Sequence, residues 1–134
     1  MKRVLLDTNA YTSLLAGDES VLEVLAAAEQ CMMSVVVLGE LHAGFKGGTR
    51  ERENRALLED FLRRPSVRTV DVTAATAEVF GVVKNQLKQA GSPLPINDVW
   101  IAAHALETGS WLVSYDRHFT AVPGVLLWDR LAED

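Results

Sequence analysis

Short apolar runs alternate along the chain with longer stretches in which apolar positions return every three or four residues. "RVLL", Arg3 to Leu6, predicts a first strand. "AYTSLLAG" and "ESVLEVLAAAEQ" predict two helices, the first stopped near Gly17 and the second capped by Asp18. "CMMSVV", Cys31 to Val36, predicts a second strand passing quickly into a helix that carries "LGELHAGF" and ends at Gly47-Gly48. Thr49 to Arg64 places Ala56, Leu57 and Phe61 at helical spacing, and Pro65 stops that helix. "SVRTVDV" predicts a third strand, and Thr73 to Gly91 a long amphipathic helix with a glycine stop and the turn "SPLP" behind it. "INDVWIAAHALETG" predicts a further helix closed by Gly109, and "WLVSY" and "VLLW" two last strands around a helical turn at Arg117 to Ala121. Strands alternating with helices in this way imply a three-layer α/β domain with a mainly parallel sheet. There is no internal repeat, low-complexity segment or linker.

Composition narrows the function more than the fold. A chain of 134 residues, 49% hydrophobic, is expected to form a single domain over 1–134 with one core. Its apolar runs, such as Met32 to Gly39, fall short of the ~18 to 20 residues of a membrane span, and no signal-like segment opens it, so a soluble cytoplasmic protein with no membrane partner is expected. Cys31 is the single cysteine, which excludes an intrachain disulfide and a Cys-type zinc site and suggests a buried, reduced thiol. Thirteen Lys and Arg against eighteen Asp and Glu give a net charge of −5. That balance argues against a protein that coats nucleic-acid phosphates, but not against a nuclease whose gathered carboxylates hold a cation.

Four acids fall at junctions between elements. Ligands of a parallel sheet bind beyond the carboxyl ends of its strands, and Asp7 stands at the end of the first one. The plain alternative is that Asp7 or Thr8 caps the next helix. Glu40 shares a helical face with Val36, Val37, Leu41 and Gly44, where an unpaired carboxylate is costly, so it calls for a metal or a basic partner. Asp98 opens a helix, where Asn97 or Asp98 can serve as a cap, and Asp116 follows a strand, where a turn residue is often Asp. Four such acids are harder to explain as four separate caps than any one of them.

"LLDTNAY", "SVVVLGELHAGF", "PINDVWIAAHALETG" and "LVSYDRHF" resemble, in order and spacing, the successive signatures of PIN domains, in particular VapC-type toxins of toxin–antitoxin pairs, from Arg3 to about Val125. The resemblance implies a five-stranded parallel sheet of order 3-2-1-4-5 and an acidic pocket that binds Mg²⁺ or Mn²⁺ and hydrolyses RNA. Asp7, Glu40 and Asp98 match the main acids and Asp116 a more variable fourth; all are catalytic and metal-binding candidates. Asp7 and Asp98 are the implied direct ligands. Glu40 and Asp116 are implied to act through water or to orient the nucleophile. Thr8, Asn9 and Ser114 match supporting positions, with Ser114 where threonine is more common. The implied partners are an RNA substrate, a VapB-type antitoxin and a second copy in a homodimer. A PIN-like RNA-processing nuclease without a toxin role, or an inactive binding module, stays open.

Outside the acids the signals are weaker. The apolar surplus at Leu14, Leu15 and their neighbours suggests a groove for an antitoxin tail, unless it packs in the core or in a homodimer contact. Arg50, Arg52 and Arg55 lie in a mixed-charge helix and are candidate RNA contacts, as is His118 beside Asp116. His42 and His104 have no zinc spacing and read as structural or surface residues, and Trp100, Trp111 and Trp128 as core or interface anchors. A haloacid-dehalogenase-type phosphatase needs an acid where the chain has Asn9, and a response-regulator receiver needs an acidic pair that "LLDTN" lacks.

Overall fold

β1 (Arg3–Leu6) lies at the centre of a five-stranded sheet of order β3-β2-β1-β4-β5, the other strands being β2 (Gln30–Ser34), β3 (Val67–Val70), β4 (Trp111–Val113) and β5 (Leu126–Trp128). This is a computed structural model that describes residues 1–128; the last six residues of the expected 1–134 domain lie outside the described ones. Every strand pair is parallel, in the expected order. Val4, Leu5 and Leu6 are fully buried, which requires cover on both faces of the sheet and explains why β1 is apolar without alternation.

The cover is helical: α1 (Thr8–Leu15), α2 (Glu19–Ala27), α3 (Val35–Lys46), α4 (Glu51–Leu62), α5 (Ala74–Ala90) and α6 (Ile96–Thr108). A 3-10 turn at Arg117–Ala121 separates β4 from β5. Helices α5 and α6 pack together, and α3 touches α1, α4 and α6. Gly91 and Gly109 end α5 and α6 with φ of 68° and 65°, the left-handed turn that glycine adopts most readily. Tyr115, between β4 and the 3-10 turn, donates its hydroxyl to Asp18 at the head of α2.

Two local expectations are corrected. The second strand was expected to reach Val36, but it ends at Ser34, whose Oγ accepts the Val36 amide at 3.1 Å and starts α3 at Val35. A side-chain cap thereby overrides the strand preference of three consecutive valines. In α4 the core face belongs to Leu58 and Phe61, the latter edge-on to Tyr11 at 5.4 Å, whereas Ala56 and Leu57 face outward. Leu57 and Leu58 are adjacent and both apolar, so spacing to Phe61 alone did not choose between them. Cys31 is buried as expected, and burial pushes its thiol up to about 12.

Candidate active site

Asp7 is both a cap and a site residue. It follows β1 directly, continues the ladder through its amide to Val113 O at 3.2 Å, and caps α1 through Oδ1, which accepts the Ala10 amide at 2.8 Å. Its Oδ2 accepts the Ser114 hydroxyl at 2.5 Å. Burial pushes the Asp7 carboxyl above its usual range, helped by the nearby charges of Asp98 and Asp116 and opposed by the bonds from Ser114 and Ala10.

Glu40 projects from α3 toward α1 and α6. Its Oε1 accepts the Thr8 hydroxyl at 2.6 Å and its Oε2 the Asn97 amide at 3.5 Å. Among the described residues no basic side chain pairs with it, so the salt bridge held open by the sequence is not made. Hydroxyl and amide donors hold the carboxylate in place.

Asp98 is the third residue of α6, and the helix begins behind Pro95 with no side-chain cap, so neither Asn97 nor Asp98 serves as one. Burial raises the Asp98 carboxyl too; Glu40 and Asp116 add to the shift and His118 opposes it. His118 stands between two acids, with Nδ1 2.8 Å from Asp116 Oδ1 and Nε2 3.0 Å from Asp98 Oδ2. The second contact is close but misaligned, and among the described residues Nε2 is buried without a hydrogen bond. Asp116 also caps the 3-10 turn by accepting the His118 amide at 3.1 Å, while its own amide donates to Ser114 Oγ at 2.9 Å.

Asp7, Thr8, Asn9, Glu40, Asn97, Asp98 and Asp116 line one cavity of about 390 Å³, floored by Ile101 and Phe119. The structure thus brings together all four expected acids with Thr8 and Asn9, and Ser114 supports them from beneath. Asn97 and the bridging position of His118 were not expected. A polar residue next to Asp98 was the available signal for Asn97, whereas nothing local announces that His118 reaches back to α6. Arg50, Arg52 and Arg55 lie elsewhere. Arg50 makes a two-pronged ion pair with Glu53, and Arg52 and Arg55 line a separate cleft with Lys46. Leu15 is exposed on the rim of a groove with Tyr11, Phe45 and Leu57, while Leu14 is half-buried against the core.

The donor set suits a hard divalent cation, which prefers carboxylate oxygen, keeps several waters and is commonly held by one or two carboxylates. As they stand, no three acidic or histidine side chains among the described residues converge tightly enough to hold an ion. Thr8 and Asn97 engage Glu40, Ala10 and Ser114 engage Asp7, and His118 lies against Asp98 and Asp116. Two carboxylates with water fit this arrangement, and a full protein cage does not.

Residues 4–125 match the PIN domain family. The chain belongs to the PIN-domain family. Among its relatives, Ribonuclease VapC2 of Haemophilus influenzae is 34% identical over 85% of this chain and 86% of its own length. Ribonuclease VapC2 of Rickettsia felis is 30% identical over 81% of this chain and 82% of its own. The structure of VapBC2 from Rickettsia felis bound to a promoter DNA fragment superposes with a TM-score of 0.80 at 26% identity, covering 93% of this chain and 96% of that one. PIN-domain nucleases are generally dependent on divalent metal.

Proposed function

We propose that this PIN domain is a Mg²⁺-dependent endoribonuclease, with Mn²⁺ able to substitute, that acts in the cytoplasm as the toxin of a toxin–antitoxin pair. The observation that carries the reading is the convergence of Asp7, Glu40, Asp98 and Asp116, from four separate parts of the chain, on one cavity beyond the sheet. The VapC ribonucleases among its relatives support RNA as the substrate.

Asp7 and Asp98 would hold the metal, with Asp116 and Glu40 contacting it through water. When bound, the cation lowers the pKa of water and offsets charge on the phosphate. The chain's own contribution is orientation. Ser114 and the Ala10 amide aim the Asp7 oxygens, and Thr8 and Asn97 hold Glu40 where it can align the attacking water. Water adds to phosphorus, the bond to the 3′ oxygen breaks, and the products are a 5′ phosphate and a 3′ hydroxyl. Raised carboxyls at Asp7 and Asp98 mean that burial disfavours their charged forms, a cost that a nearby cation relieves.

Restraint of such an activity fits the groove beside Leu15. Tyr11, Phe45 and Leu57 line it, and the buried Tyr11 hydroxyl has no hydrogen-bond partner among the described residues. An antitoxin tail would lay apolar side chains there and bring a basic residue to the acids. The test is cleavage of RNA by the purified chain with Mg²⁺, Mn²⁺ or chelator, alone and with the product of the neighbouring reading frame. Cleavage that persists in chelator overturns the metal-dependent reading, and failure of the neighbour to bind and inhibit overturns the toxin role.

A further inference from the structure

His104 is fully buried on α6 and belongs to none of the catalytic roles above. Its Nε2 lies 3.1 Å from the backbone oxygen of Asp71, beyond β3, and its Nδ1 lies 2.8 Å from Ser34 Oγ. A carbonyl oxygen only accepts, so the network is complete in one tautomer: Nε2–H donates to Asp71, and Nδ1 accepts the Ser34 hydroxyl. Ser34 Oγ is then free to accept the Val36 amide, the bond that starts α3. The histidine therefore grips the end of α3 that the β2 strand enters, and does so without a loop between strand and helix.

The grip has a counterpart at the cavity. Asn97 lies seven residues before His104, on the same face of α6, and donates to Glu40, six residues after Ser34 in the chain. Seven residues of α6 rise about 10.5 Å and six residues along α3 about 9 Å, so the two contacts clamp antiparallel helices at two matching heights. Glu40 belongs to α3 and Asp98 to α6. Their separation depends on how these helices sit against each other.

We propose that His104 is a positioning residue for the acidic cavity, fixing α3 against α6 through Ser34 so that Glu40 and Asp98 keep their working separation. This rests on the nuclease reading for its kinetic consequence, but metal affinity reports on it independently.

The test compares Ser34→Ala, which deletes the link, with His104→Asn, whose side-chain oxygen can replace Nδ1 as the acceptor for Ser34. Each is measured well below its melting temperature for kcat and KM on RNA, and by calorimetric titration with Mn²⁺. Ser34→Ala is expected to bind Mn²⁺ about tenfold more weakly, as loss of an outer hydrogen bond commonly does at metal sites. Its kcat is expected to fall about tenfold or more with KM unchanged, the mark of misplaced groups rather than lost binding. His104→Asn is expected to keep both values near the parent's although it loses packing and melts lower. A folded Ser34→Ala with parental Mn²⁺ affinity and kcat overturns the proposal, as does a His104→Asn that loses both. If Ser34→Ala does not fold, His104→Ala, which removes the acceptor and leaves the Ser34 cap of α3 in place, is set against His104→Asn: loss of Mn²⁺ affinity and kcat in the first alone supports the proposal, and parental values in both overturn it. A parent that binds Mn²⁺ but cleaves no RNA overturns the nuclease reading, and the affinities still judge His104.

Discussion

Ser114 Oγ donates to Asp7 Oδ2 at 2.5 Å while accepting the Asp116 amide at 2.9 Å, so one buried hydroxyl sets the relation between the acid after β1 and the acid after β4. Removing it by Ser114→Ala leaves a buried carboxylate oxygen short of a donor. The expected cost is about 1–3 kcal/mol of stability at neutral pH, read by urea denaturation, and Ser114→Thr is expected to keep most of it. Since that bond opposes the rise of the Asp7 carboxyl, the acidic limb of the cleavage pH profile is expected to move upward in Ser114→Ala.

Asp7 carries a pH signature in the metal-free protein. Its carboxyl titrates above its usual value of 3.8, chiefly through burial. A raised folded pKa contributes stability that is full below the unfolded value and lost as pH rises through the folded one. The metal-free protein is therefore expected to lose stability from near pH 4 upward across that window, with Asp98 adding a slope of the same sign. Asp7→Asn keeps an oxygen for the Ala10 amide but puts an amide nitrogen where the Ser114 hydroxyl donates, so it is expected to flatten the slope with little net change of melting temperature at pH 7. Added Mg²⁺ is expected to stabilise the parent more than the variant, because a ligand of the folded state acts by mass action.

Asp98→Asn separates chemistry from fold. Asp98 makes no cap, and its favourable place in the first turn of α6 is worth about 0.3–1 kcal/mol. The variant is expected to melt close to the parent and to lose cleavage. Undiminished Mg²⁺-dependent cleavage by the purified variant would refute the role given to Asp98.

Asp116→Asn retains an oxygen to accept the His118 amide, so the 3-10 turn is expected to survive. Less crowding of like charge is expected to leave the metal-free melting temperature unchanged or higher, with a smaller gain on adding Mg²⁺. A clear fall in metal-free stability would make Asp116 a structural acid instead.

Leu15→Asp probes the groove with little risk to the core, since Leu15 is 43% exposed. Stability is expected to change by no more than about 0.5 kcal/mol, as at other exposed sites. Cleavage is expected to persist while inhibition by the antitoxin weakens, measured with the co-purified partner. Leu14 is the poorer probe because it packs against the core, and a polar residue there would lower stability as well.

The alternation of strands and helices was legible because each is written within a few neighbouring residues, and the strand order followed from the PIN resemblance. The four acids were legible because each stands at an element's edge or on an apolar face. The choice between Leu57 and Leu58 was not, since it depends on how α4 rolls toward Tyr11. Nor was the place of His118: its contact with Asp98 joins α6 to the turn after β4, and no local pattern encodes a meeting of two elements. His104 read as a structural or surface residue, and its partners at Ser34 and Asp71, which bury it, come from distant parts of the chain.

The bond between Ser114 and Asp7 spans 107 positions of the chain, and β1 needs β4 as its neighbour on one side. A ribosome translating this message therefore exposes Asp7 long before the residues that aim it. Until Trp111 to Asp116 have emerged and β4 has docked, the nascent polypeptide has only part of its acidic cavity. A prematurely terminated product lacks the hydroxyl that aims Asp7 and the strand that flanks β1, so the order of synthesis leaves the acidic cavity to be completed last.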